Sequence, residues 1–97
     1  MELYNIEAEQ SILGAILIEP KSISEGNEVN LSSSDFYLDK HKIIYKCMKK
    51  LSDSDLEIDL IILSNELKND KTLDEIGGVA YISSLITIVP TADNIIY

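Results

Sequence analysis

Apolar residues recur along this chain mostly at helical spacing. The clearest run is Ile44, Cys47, Met48 and Leu51, at i, i+3, i+4 and i+7, which places all four on one side of a helix. Lys42, Lys46, Lys49 and Lys50 lie on the other side, so the segment from Asp39 to Leu51 is predicted as an amphipathic helix. Upstream, Asn5 can cap a first helix from Ile6 to about Ile18, with Glu7 and Glu9 offsetting the positive end of the helix dipole. Its Ile6, Leu13, Ile16 and Leu17 share a face, and Gly14 allows close approach by a neighbour. Pro20 ends that helix and can open a short second one through Ile23 to about Glu28.

Downstream, the capping and turn residues from Leu31 to Tyr37 predict a loop that inserts Phe36 into the core. The polar run from Ser52 to Asp59 is a connection. Asp59 is then a natural N-cap for a helix from Leu60 to Leu67, in which Leu60, Leu63 and Leu67 are spaced for burial. Asn69 to Thr72 breaks the pattern, and Gly77-Gly78 marks a turn with positive φ before a helix from Val79 to Ile88, whose stripe is Ile82, Leu85, Ile86 and Val89. Pro90 closes it, and Thr91 can cap a last helix of which Ala92 to Tyr97 is the beginning. Ile58 to Leu63 and Ile82 to Val89 are also rich in β-branched residues, but helical spacing and caps outweigh a strand assignment. The expected fold is all-α, a compact orthogonal bundle of five to six short helices.

With 97 residues the chain forms one domain, and 45% hydrophobic with 26% charged residues is an ordinary globular composition. Charge narrows the function. Eight Lys, no Arg and seventeen Asp plus Glu leave a net charge of −9, which repels phosphate and removes the arginine fork used to read bases. Direct nucleic-acid binding is therefore not expected. The first residues carry acids where a secretory signal carries positive charge, and no apolar run approaches the ~18 residues that span a bilayer. A cytoplasmic protein without membrane contact is expected, and the single cysteine, Cys47, allows no internal disulfide.

The search for chemistry yields little. Neither a P-loop nor a dinucleotide-binding glycine motif occurs, so no cofactor is expected in this chain. Cys47 and His41 are the only thiol and imidazole, and six residues on one helix set them about 120° apart around its axis. Cys47 is then a small core residue, and His41, near Phe36, Tyr37 and Tyr45, anchors that loop by hydrogen bonding. The alternating acids Asp53, Asp55, Glu57 and Asp59 suggest a calcium loop, but Ile58 stands where such a loop needs glycine and Ser64 where it needs a bidentate acid. Glu7 and Glu9 fall on different sides of their helix and read as helix-start decoration rather than an acid/base pair. The lysines of the 39–51 helix form a solvated face or a docking strip for an acidic partner. The composition points to a non-catalytic, acidic helical module whose surface meets other proteins.

Four blocks then resemble, in order, the N-terminal domain of the DnaB-type replicative DNA helicases of bacteria and phages. They are Asn5-Ile-Glu-Ala-Glu-Gln-Ser-Ile-Leu-Gly14; Asp35-Phe-Tyr37 with His41, Ile44 and Tyr45; Ile58-Asp59-Leu60 leading to Leu63 and Leu67; and Leu73 to Tyr81 running on to Val89-Pro-Thr-Ala-Asp-Asn94. The resemblance spans nearly the whole chain. It implies that residues 1–97 are the collar domain of a hexameric ring helicase, ending before the family's helical hairpin, linker and ATPase domain. ATP and magnesium are then expected only for that motor, and this chain is expected not to be an enzyme.

The resemblance further implies self-association within a ring, docking of the primase helicase-binding domain, and contact with helicase loaders in some systems. Candidate contact residues are Glu7, at the first helix start, and Tyr81, after the glycine pair; Tyr81 reads equally as a core aromatic. Two departures are visible: Met1 to Tyr4 replaces the family's proline-containing lead-in, and Ile62 stands where Thr is common. The missing hairpin carries much of the family's dimer contact, which leaves the oligomeric state of this chain open. A second reading is a free-standing phage or mobile-element homologue that regulates or mimics a host helicase. A third, a small hydrolase, would need two acids with separated pKa values in one cleft, and no pair has suitable spacing.

Overall fold

The computed structural model describes residues 6–21, 23 and 32–88. Four α-helices and one short 3-10 turn make up the regular structure of these residues: α1 (Ile6–Ile18), the turn at Ser33–Asp35, α2 (Asp39–Asp53), α3 (Leu60–Asn69) and α4 (Gly78–Ile88). Two of the expected five to six helices, the one through Ile23 to Glu28 and the one capped by Thr91, lie wholly or largely outside the described residues, as do the Asn5 cap and Val89. The observed α2 and α3 each run two residues beyond their predicted ends, and α4 starts one residue earlier.

α2 buries the stripe its spacing predicts, since Ile44, Cys47, Met48 and Leu51 are at most 4% exposed. α3 starts where expected because the Asp59 carboxylate accepts the Ile62 backbone N–H at 2.8 Å, satisfying one of the orphan donors of the first turn. Its Leu63 and Leu67 are fully buried, while Leu60 sits at the margin of the core. α4 contributes Ile82 and Leu85, with Ile86 packed against them. α1 packs on α2 and α4, and α3 packs on α2 and α4, so the four helices close around one core. Phe36 inserts from the loop as predicted and lies 5.1 Å, centroid to centroid, from the Tyr45 ring.

Both α2 and α3 end by the same device. Leu56 N–H reaches back to Leu51 C=O and Thr72 N–H to Leu67 C=O, each at 2.9 Å, around a residue with positive φ: Asp55 (60°) and Lys71 (64°). This is the six-to-one closure of a helix C-terminus, with a non-glycine residue in the left-handed position. The predicted glycine hinge is also present, with Gly77 at φ 106° and Gly78 at 76°.

One expectation about α1 fails. Ile6 is 38% exposed, and the buried face instead runs Glu9, Leu13, Ile16 and Leu17. Glu9 thus places a carboxylate at an inward position in the first turns of this helix, on the same side as Leu13, Ile16 and Leu17.

Candidate functional site

Glu9 is not helix-start decoration: at 7% exposure it points between α1, α2 and the loop before α2. There it meets His41, which is 0% exposed and begins the inward stripe of α2. His41 Nδ1 lies 2.7 Å from Glu9 Oε1, and His41 Nε2 lies 2.6 Å from the Tyr81 hydroxyl on α4. The second Glu9 oxygen accepts the Tyr37 N–H at 2.5 Å, and the Leu38 N–H lies 3.5 Å from Oε1. Gln10 Nε2 donates to the Tyr81 hydroxyl at 3.2 Å. One assignment of protons satisfies the whole chain: the Gln10 amide donates to Tyr81, Tyr81 O–H donates to Nε2 of a neutral imidazole, and Nδ1–H donates to the carboxylate. Three helices and the 37–38 backbone are thus tied at one point.

Over residues 1–97 the sequence matches the family model described as DnaB-like helicase N terminal domain. The chain belongs to that family. Its relatives include the replicative DNA helicase DnaC of Bacillus subtilis, 43% identical over 93 residues that make up 96% of this chain and 20% of that protein. The replicative DNA helicase DnaB of Treponema pallidum is 39% identical over 94 residues, 97% of this chain and 21% of its own length. The chain therefore spans about a fifth of the length of these relatives. The crystal structure of the N-terminal domain of DnaB helicase from Mycobacterium tuberculosis superposes with a TM-score of 0.88 at 33% identity, covering 97% of this chain and 67% of that one. The all-α architecture expected from periodicity is the one this family carries.

In this family member the electrostatics of the buried site favour a charged Glu9. Burial pushes its pKa up, but hydrogen bonds from His41, Tyr37 and Leu38 outweigh that and hold it below the ordinary carboxylate range. His41 does not anchor the preceding loop directly, as its position in sequence suggested. The loop hangs from Glu9, and His41 links Glu9 to Tyr81. Phe36 meets the His41 ring edge-on at 6.4 Å, closing the apolar side of the network.

The arrangement is suited to holding helices in register rather than to bond chemistry. Tyr81 occupies His41 Nε2, and Cys47, on the same helix, is buried with its thiol pushed up to about 11 by burial and by the charges of Glu66 and Asp70. Among the described residues no group of three or more His, Cys, Asp or Glu could hold a metal ion. The calcium reading of residues 53–59 fails structurally too, because Ile58 is a core residue at 2% exposure.

The two candidate contact residues are placed differently. Glu7 is exposed on the first turn of α1. Tyr81 is half-buried, with its hydroxyl turned inward and the Lys40 ammonium 3.9 Å from its ring centroid on the outside. Much of the lysine face of α2 is engaged within the domain: Lys50 pairs with Glu66 at 2.6 Å and Asp70 at 3.4 Å, and Lys42 with Asp39 at 3.7 Å. The sequence did hold a signal for the missed Glu9–His41 pair. Each is the lone carboxylate or imidazole in line with an otherwise apolar or aromatic helical stripe, Glu9 with Leu13, Ile16 and Leu17, and His41 with Ile44, Tyr45 and Met48.

Proposed function

We propose that this chain is the collar domain of a replicative DNA helicase, a non-catalytic unit that contributes to hexameric ring assembly and docks primase or a helicase loader during replication in the cytoplasm. The observation that carries the reading is the 0.88 TM-score to a DnaB N-terminal domain together with a match across all 97 residues. Physical chemistry supports it. A core of interlocked helices with a buried, fully bonded polar clasp makes a rigid scaffold. A net charge of −9 without Arg suits a surface past which DNA moves without sticking. Among the described residues no helix is long and apolar enough to cross a membrane. ATP and magnesium are assigned to a motor outside these residues, so the purified chain should neither hydrolyse ATP nor retain DNA at physiological salt.

The docking role is tested by titrating the cognate primase helicase-binding domain into this chain by calorimetry. Saturable heat supports the reading. Absence of heat both here and with a chain extended through the family's hairpin refutes it, because the second arm restores a composite surface.

A further inference from the structure

The network of Glu9, His41 and Tyr81 shares no residue with a groove of about 650 Å³ where the end of α1 faces the connection between α2 and α3. Its floor is apolar: Leu17, Ile23 and Ile58 are each at most 9% exposed but turn side-chain surface toward it. The lip comes from Leu56, 53% exposed, and Pro20, also exposed. Leu56 stands out because the left-handed turn at Asp55 and the return of Ile58 to the core leave the residues between them on the outside.

The charges around this apolar floor are unbalanced. Asp55, Glu57 and Asp59 line it against a single cation, Lys21. Asp59 is committed to capping α3, but among the described residues no side chain pairs with the carboxylates of Asp55 or Glu57. Such a site disfavours three occupants. Nucleic acid and anionic lipid bring phosphate, and a second copy of this chain has only eight lysines among seventeen acids to set against these carboxylates. What it fits is an apolar side chain flanked by cations, in a volume within the usual range for pockets that enclose a bound group.

We propose that this groove is a docking site for a segment of a partner protein in which a bulky apolar anchor lies between lysines or arginines. The anchor fills the space over Leu17, Ile23 and Ile58 beside Leu56, and the flanking cations pair with Asp55 and Glu57. The proposal deepens the docking reading above and rests on it for its place in replication, though its chemistry is stated independently.

The test is a titration of the isotopically labelled 97-residue chain, followed by NMR, with three synthetic peptides of equal length. One carries leucines between lysines, one replaces the leucines by serine, and one replaces the lysines by glutamate. The first alone should saturate, with shift changes centred on Leu17, Ile23, Leu56 and Ile58. Leu56→Ser, at an exposed position that leaves the core intact, should weaken it about tenfold. Glu57→Lys should weaken it several-fold at low salt, with the difference shrinking in high salt. Equal binding of the serine peptide, shifts spread over the acidic surface, or indifference to Leu56→Ser would overturn the proposal. The primase domain, titrated into the same variants, separates the two readings. Primase binding that ignores Leu56→Ser keeps the docking function and removes the groove from it. Peptide binding in the groove without primase binding keeps the groove and removes primase as its partner.

Discussion

Removing the Glu9 carboxylate should destabilise the domain more than removing any exposed charge. In Glu9→Ala the His41 Nδ1–H and the N–H groups of Tyr37 and Leu38 lose their acceptor in a site that is almost closed to water, since Glu9 is 7% and His41 0% exposed. A buried donor stranded in this way costs about 1–3 kcal/mol, and the weak 3.5 Å contact to Leu38 adds little. The sum is roughly 3–5 kcal/mol, a large share of the 5–15 kcal/mol by which domains are stable. Glu9→Gln should cost less, about 1–2 kcal/mol, because the amide oxygen can keep the Tyr37 N–H while its NH2 meets His41 in the other tautomer. Urea unfolding followed by circular dichroism reads both, since a slope near 1 kcal/mol per molar urea turns these losses into midpoint shifts of roughly a molar or more. The pH dependence has a definite sign. Because Glu9 titrates below its ordinary value of 4.5, its stabilisation is present above that pH and is lost as pH falls through the lowered folded value. Glu9→Gln should flatten this acid limb. A Glu9→Ala unfolding free energy within about 0.5 kcal/mol of the parent's, a typical surface-substitution effect, would refute the claim that the clasp stabilises the fold.

Three other outcomes follow. Gly77→Ala should cost more than Gly78→Ala: both carry the left-handed penalty of about 1–2 kcal/mol, but a Cβ on Gly77 would lie 2.8 Å from Tyr81 Cβ whereas one on Gly78 meets nothing within 4 Å, and thermal melts of the two variants decide it. Ser64→Ala should stabilise by about 1 kcal/mol, since the buried Ser64 hydroxyl has no hydrogen-bond partner and alanine is the better helix former; a lower melting temperature would contradict this. Cys47 should react with iodoacetamide at pH 8 far more slowly than a free thiol, because its pKa is raised to about 11 and its sulfur is buried, and urea should restore the ordinary rate.

The elements readable in the sequence were those whose apolar stripe and cap agreed. Ile44, Cys47, Met48 and Leu51 fixed the inward face of α2, Asp59 capped α3 at the expected residue, and Gly77-Gly78 adopted positive φ. The site was legible only in part because its hydrogen-bonded partners are 28 to 71 residues apart in sequence and meet through helix packing. Local rules treat Glu9 as a first-turn acid, and that rule describes an exposed helix start correctly. Here the helix start faces the core, so tertiary packing converts the same carboxylate into an acceptor for two backbone amides and an imidazole. Ile6, the first residue of α1 and on the same side of the helix, stays 38% exposed.

The coupling between the glycine hinge and the clasp is also tertiary. The missing Cβ of Gly77 is what lets the Tyr81 backbone lie where its hydroxyl reaches His41, so the hinge fixes a hydrogen bond as well as a change of direction. The clasp and the acidic groove, by contrast, have no residue in common. Substitutions at well-separated sites without shared partners add in free energy, so Glu9→Gln should move stability and leave peptide affinity alone, while Leu56→Ser should do the reverse. A double variant that departs from this additivity would mean that the helix register set by Glu9, His41 and Tyr81 also sets the shape of the groove, and that the scaffold is part of the recognition surface.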